Sequence, residues 1–296
     1  PKIFREWVKH VKGRLRFYDY LTSTYGSMGM LFPISRASWR NIHYLKSAGF
    51  SGYGTQFHSY INEDYLPHVW ASYGVSHYIT ARATWDGTRS WEYLLEEYCR
   101  GFFGEAAKPM VKYFTALEDA SRQHRLSLGI RDILQIFDAP TYKACSRALA
   151  QAAGLARSAK YKIRIKHQQD LLEFGYLFWR IRQVEMKMRE AVAITRRGVP
   201  TGIKFGARYL PTRPSAMAAM DSMFKLLNEH AVLDDKVQKL FDKPLLNWGK
   251  RTGYLYYHLM GSNSDRRGVI DAVRLMKVAA NAAKSLNYNL PWYGED

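Results

Sequence analysis

Residues 15–21 read Leu15-Arg16-Phe17-Tyr18-Asp19-Tyr20-Leu21, and residues 50–57 read Phe50-Ser51-Gly52-Tyr53-Gly54-Thr55-Gln56-Phe57. Each is a short apolar and aromatic run after a turn or a helix, the pattern of a buried strand. Between them Ser35 opens a helical pattern in which Trp39, Ile42, Leu45 and Ala48 recur at three- and four-residue steps, and Gly49 stops it. Strand, helix, strand is the order in which a crossover helix joins parallel strands, so the chain opens as α/β.

Beyond His58 the periodicity becomes helical throughout. Helices are expected over Tyr65–Thr84, Ser90–Phe102 with Gly104 as its stop, and Glu105–Arg125 with Pro109 in its early turns. Asp138-Ala139-Pro140 reads as a cap and an early-turn proline opening a helix to Ala153. Arg157–Arg196 carries an apolar stripe of Ile163, Leu171, Phe174, Leu177, Phe178, Ile181, Val184 and Met188. Gly198–Arg213 reads as a long loop, followed by helices at Pro214–Ala231 and Arg266–Leu286 and a Pro- and Gly-containing tail. The expected organisation is an α/β segment over 1–86 and an all-α domain over 87–296. Two or three parallel strands cannot close a barrel and leave bare edges. The α/β segment is therefore expected to need a partner: a missing barrel half from upstream sequence or from another chain.

With 47% hydrophobic residues and 24% charged, the composition is that of a packed globular chain and excludes global disorder. No uncharged apolar run is long enough to span a bilayer, so no membrane span is expected. Two cysteines, Cys99 and Cys145, build no disulfide framework and show no metal-ligand spacing. The chain has no G-x-G-x-x-G, P-loop, G-x-S-x-G or H-E-x-x-H motif, and no cofactor is called for. The 44 Lys and Arg against 26 Asp and Glu give a net charge of +18, a field that draws anions. Residues 157–213 concentrate it, with 14 basic against 4 acidic side chains. That stretch reads either as a solvated helical face or as an anion surface. Nucleic acid is a partner supported by net charge alone, for the basic residues form no recognisable module.

The residues with most chemistry sit at the strand ends. Asp19 between Tyr18 and Tyr20 is placed where α/β barrels carry their reacting groups, and aromatic faces beside a carboxylate suit sugars. Asp19 reads equally as a cap of the following loop. Gln56 and His58 share the rim of the second strand as substrate contacts, with a hydrogen-bonded structural role as the alternative for His58. Glu63 and Asp64 read as favourable charges at a helix start, Trp70 and Trp85 as core on an apolar helix face, and Asp86 as a turn or cap before Gly87-Thr88.

Four strings in order carry a resemblance: Phe17-Tyr18-Asp19-Tyr20; Ala48-Gly49-Phe50-Ser51-Gly52-Tyr53-Gly54-Thr55-Gln56; Ala81-Arg82-Ala83-Thr84-Trp85-Asp86; and Glu96-Glu97-Tyr98-Cys99-Arg100-Gly101-Phe102-Phe103-Gly104-Glu105-Ala106-Ala107 followed by Met110 and Tyr113. Together they resemble domain of unknown function 4838, with Gly87 where a proline is common. The stretch around Arg164, Leu171, Leu172 and Tyr176 resembles the family's later helices, so the likeness runs over 1–190. That family occurs as the later part of glycoside-hydrolase-like chains related in architecture to α-glucuronidases and β-hexosaminidases. The resemblance implies late strands of a partial TIM-like barrel followed by a C-terminal helical domain, and a secreted or periplasmic bacterial setting. It implies further that Asp19 activates the attacking water, that Gln56 orients the water or a sugar hydroxyl, and that the general acid lies upstream of Pro1. An acidic glycan fits the basic charge, since a uronate carboxylate pairs well with arginine. The alternative is a non-catalytic scaffold that holds an anionic polysaccharide or nucleic acid.

Overall fold

The computed structural model describes residues 2–11, 15–19, 31–55, 66–123, 134–197, 214–240 and 242–243. Its elements are α1 (Lys2–Val11), β1 (Arg16–Asp19), α2 (Ser35–Ser47), β2 (Gly52–Thr55), α3 (Leu66–Trp85), α4 (Trp91–Phe103), α5 (Ala107–Gln123), α6 (Ala139–Leu155), α7 (Ala159–Arg197) and α8 (Pro214–Leu240). Short 3-10 turns occupy Gly104–Ala106 and Leu134–Phe137. The α/β order followed by helices is as expected. The chain divides into two compact units, Pro1–Tyr176 with Lys243–Trp248, and Leu177–Asp242 with Gly249–Asp296.

In the first unit, β1 and β2 pair in parallel, with Arg16 opposite Gly52 and Asp19 opposite Thr55. Among the described residues these two strands are the whole sheet. Side chains alternate across a strand, so Phe17, Asp19, Tyr53 and Thr55 share one face while Arg16 and Tyr18 lie on the other. Phe17 stacks on Tyr53, and Phe4 of α1 meets Phe17 and Phe50 edge-on. On the opposite face Gly52 leaves room for the Arg16 side chain, since a Cβ there would come within 2.9 Å of its Cγ.

The helices form in the expected places for the expected reasons. Gly49, at φ +91°, follows the end of α2, and Ser90 caps α4 by accepting from the Tyr93 N–H. Asp138 caps α6 through the Thr141 N–H, with Pro140 in the first turn. Helix α1 was not read from the sequence, although Phe4, Val8 and Val11 recur at its four- and three-residue steps. Successive helices pack on one another, α2 on α3, α3 on α4, α4 on α5 and α5 on α6. Buried Trp91, Leu94, Phe103, Met110, Tyr113 and Leu117 make the core of this stack. Cys99 and Cys145 are free thiols inside it; burial pushes Cys145 up to about 12 and raises Cys99 as well.

The stripe on α7 is buried from Leu171 to Met188, but Ile163 is 56% exposed. In the second unit α7 carries the buried Leu177, Phe178, Ile181, Val184 and Met188, and α8 carries Leu227, Leu233, Val237 and Leu240. An Arg180–Glu229 ion pair at 3.0 Å joins the two helices. Helix α8 runs beyond the expected end at Ala231 to Leu240. The expected loop 198–213, the helix 266–286 and the charges Glu63 and Asp64 lie outside the described residues. No helix among the described residues is long and apolar enough to cross a membrane.

Candidate functional site

A cleft of about 820 Å³ opens in the first unit between β2, α3 and α4. From β2 come Tyr53 and Thr55; from α4 come Glu97, Tyr98 and Phe102. Helix α3 supplies the long wall, with Trp70 near one end and Trp85 at the other. Fifteen residues separate the two tryptophans, about 22 Å along a helix axis. Trp85 is 89% exposed and Trp70 46%, which corrects their reading as core residues. The apolar residues of α3 are spread around its circumference instead of lying in one stripe, so the sequence could not say which side faces the interior.

The floor is aromatic. Tyr98 stacks on Phe102 with centroids 5.2 Å apart and meets Tyr78 at 5.4 Å. Full burial raises the Tyr98 phenol well above its usual range. Glu97, the one carboxylate lining the cleft among the described residues, accepts hydrogen bonds from the Tyr78 hydroxyl and from Arg82 Nε at 2.9 Å and Nη2 at 3.3 Å. Those bonds, the Tyr78 one foremost and then Arg82, hold Glu97 below the usual carboxylate value, so it stays ionised. Burial and the Glu97 contact push Tyr78 up to about 12. The Thr80 hydroxyl is buried on the same wall with no hydrogen-bond partner among the described residues.

Asp19 stands one residue behind this wall. It is half-buried, and the Tyr53 hydroxyl donates to its Oδ2 at 3.1 Å. Tyr53 in turn lines the cleft, and burial followed by the Asp19 charge raises its phenol above the usual range. Tyr18, 58% exposed, projects from the other face of the sheet into a shallow recess of about 350 Å³ lined by Arg16, Gly52 and Gly54. Tyr18 and Asp19 are therefore not brought together, and the aromatic ring beside Asp19 is Tyr53. Tyr20, Gln56 and His58 lie outside the described residues. Asp86 accepts from the Thr88 N–H at 3.0 Å and hydroxyl at 2.6 Å, the expected turn.

Sequence reasoning missed the cleft itself. Its signal was present as aromatic residues at positions 70, 78 and 85 of one helix and at 98 and 102 of the next, spacings that place each set on one side of its helix. No group of three or more His, Cys, Asp or Glu that could hold a metal occurs among the described residues.

Neither the curated proteins nor the solved structures hold a match to this chain. The model of one family, described as a domain of unknown function (DUF4838), matches residues 2–116, the stretch that contains β1, β2 and all three walls of the cleft. Over that stretch the sequence matches the DUF4838 domain.

Proposed function

We propose that this chain is a carbohydrate-active, glycoside-hydrolase-like protein that holds an acidic glycan along the cleft between β2, α3 and α4. The observation that carries the reading is the pair of exposed tryptophans, Trp70 and Trp85, flanking a groove walled by Tyr53, Tyr78 and Phe102. Exposed indole rings cost solvation and are placed where another flat surface covers them; a pyranose ring presents such a surface, with C–H groups on its face and hydroxyls on its edge. The ionised Glu97 on the cleft wall offers a polar contact for those edges.

Hydrolysis under this reading needs two carboxyl groups, one of them protonated. Glu97 is a poor acid because Tyr78 and Arg82 stabilise its charged form. Asp19 is the candidate base, reached from the cleft past Tyr53, and the acid is supplied from outside the described residues. The β1–α2–β2 unit then serves as part of a TIM-like barrel completed by further sequence or a partner, in a secreted or periplasmic setting.

The test is a binding and turnover pair. Trp85→Ala is expected to weaken retention on immobilised glycans by about ten-fold, roughly one lost aromatic contact, while leaving the melting temperature unchanged. Asp19→Asn is expected to abolish hydrolysis of aryl glycosides and to leave that retention intact. Retention that ignores Trp85 sinks the cleft reading. Binding without turnover in the intact chain leaves a non-catalytic glycan binder. Salt-sensitive capture of oligodeoxythymidylate that no glycan displaces assigns the stacking groove to nucleic acid instead.

A further inference from the structure

A smaller recess of about 300 Å³ adjoins the cleft and shares Trp70 and Phe102 with it. Its far wall is the start of α7, where Lys160, Ile163, Arg164 and His167 succeed one another at helical steps on one side. This explains the exposure of Ile163, which stands on the open wall of the recess. No Asp or Glu lines the recess among the described residues. The nearby Asp170 is already engaged by Lys166 at 2.7 Å and Lys243 at 2.5 Å.

The two cations are differently held. Arg164 lies 3.9 Å over the Phe102 ring and donates through Nη1 to the Phe102 carbonyl at 2.8 Å, which fixes the guanidinium against the cleft and leaves its other donors without a hydrogen-bond partner among the described residues. Lys160 sits over the Tyr161 ring at 4.9 Å and has no ion pair among the described residues. Like charges four residues apart on a helix repel, so this arrangement costs stability in the free protein and gains it when an anion sits between them. Gln168 makes a rigid back wall: it is buried, donates to the Ala71 carbonyl at 2.6 Å and accepts from the Tyr113 hydroxyl at 3.2 Å.

We infer that this recess is the subsite for the acidic substituent of the glycan, a carboxylate or a sulfate, gripped by Arg164 and Lys160 while its sugar ring lies against Trp70 and Phe102 in the adjoining cleft. The inference rests on the glycan reading of the cleft. Arginine held over an aromatic face suits a planar or tetrahedral oxyanion through paired donors, and the lysine adds a point charge on a flexible stem.

The test is calorimetric titration of the full chain with oligogalacturonate and its fully methyl-esterified form, and with carrageenan oligosaccharide and its desulfated form. The intact chain is expected to bind the charged member of at least one pair about ten-fold more tightly than its neutral counterpart. Lys160→Glu, an exposed position whose ring contact is to its own chain neighbour Tyr161, is expected to erase that preference without weakening the neutral form. Arg164→Lys, which keeps the charge but loses the fork, is expected to reduce it. Trp85→Ala weakens charged and neutral forms alike and so reports on the cleft alone. The pair of charged arms decides between carboxylate and sulfate. A charge preference that survives Lys160→Glu, or neutral forms bound as tightly as charged ones by the intact chain, overturns the subsite and leaves the cleft standing. Binding of no oligomer at all overturns both.

Discussion

Glu118 of α5 does for α2 what the residue preceding that helix cannot. Ile34 offers no capping side chain, and Glu118 Oε1 instead accepts from the Ser35 N–H at 2.7 Å, the Ser35 hydroxyl at 2.5 Å and the Arg36 N–H at 3.3 Å. Trp91 Nε1 donates to the same Ser35 hydroxyl at 2.9 Å, and Arg36 stacks over the Trp91 ring at 4.0 Å. Glu118→Ala is expected to cost about 2–4 kcal/mol, a cap plus buried donors left unpaired, measured by urea denaturation. Burial raises the Glu118 carboxyl above its ordinary value, outweighing the bonds that favour its charge. The folded state thus holds its proton more tightly than the unfolded state does. The protonated form contributes its full stability below the ordinary carboxylate value of about 4.3, and that contribution fades as pH rises through the raised one. Relative to Glu118→Gln, which does not titrate, the native chain is therefore expected to gain stability as pH falls from 7 toward 4, read from paired melting curves. A cap delivered from a distant helix leaves no local mark, and the sequence around Ser35 gave no hint of it. Asp86 and Asp138, whose partners lie two and three residues away, were readable for the same reason in reverse.

Among the elements, α4 is the best specified. Ser90 starts it, Gly104 at φ +56° ends it, and both were legible as punctuation. The tertiary reason for the glycine was not legible: a Cβ on Gly104 would lie 2.2 Å from a ring carbon of Tyr161 on α7. Gly104→Ala is expected to cost about 2–4 kcal/mol through unfavourable backbone conformation and overpacking, with an unchanged denaturant slope as the check that only the native state suffers. The other helices grade from clear to ambiguous by how one-sided their apolar residues are. Helix α5 buries one stripe and was read correctly, whereas α3 is apolar all round, and its tryptophans were assigned to the wrong side for that reason. The strands were found from composition, but their faces depended on register: Arg16 opposite Gly52 fixes which way Asp19 points.

For the molecule as a whole, the charge of +18 sets two opposite responses to salt. Screening relaxes self-repulsion, so the melting temperature is expected to rise modestly as salt increases from about 0.05 to 0.5 M. Over the same range affinity for an anionic oligosaccharide is expected to fall several-fold, while affinity for its neutral counterpart holds, as titrations at each salt concentration would register. The sign of the field and its concentration over 157–213 were plain from residue counts; the recess was not, because Lys160, Arg164 and the Phe102 ring meet only after two helices pack. The Glu118 cap carries a practical corollary. Severing the chain after Asp86, where strand-bearing and helical segments looked separable, would strip α2 of the acceptor that receives its first amides and bare the Trp91 indole. Limited proteolysis of the native protein should accordingly spare the 86–90 turn, and a fragment ending there should fail to fold by itself.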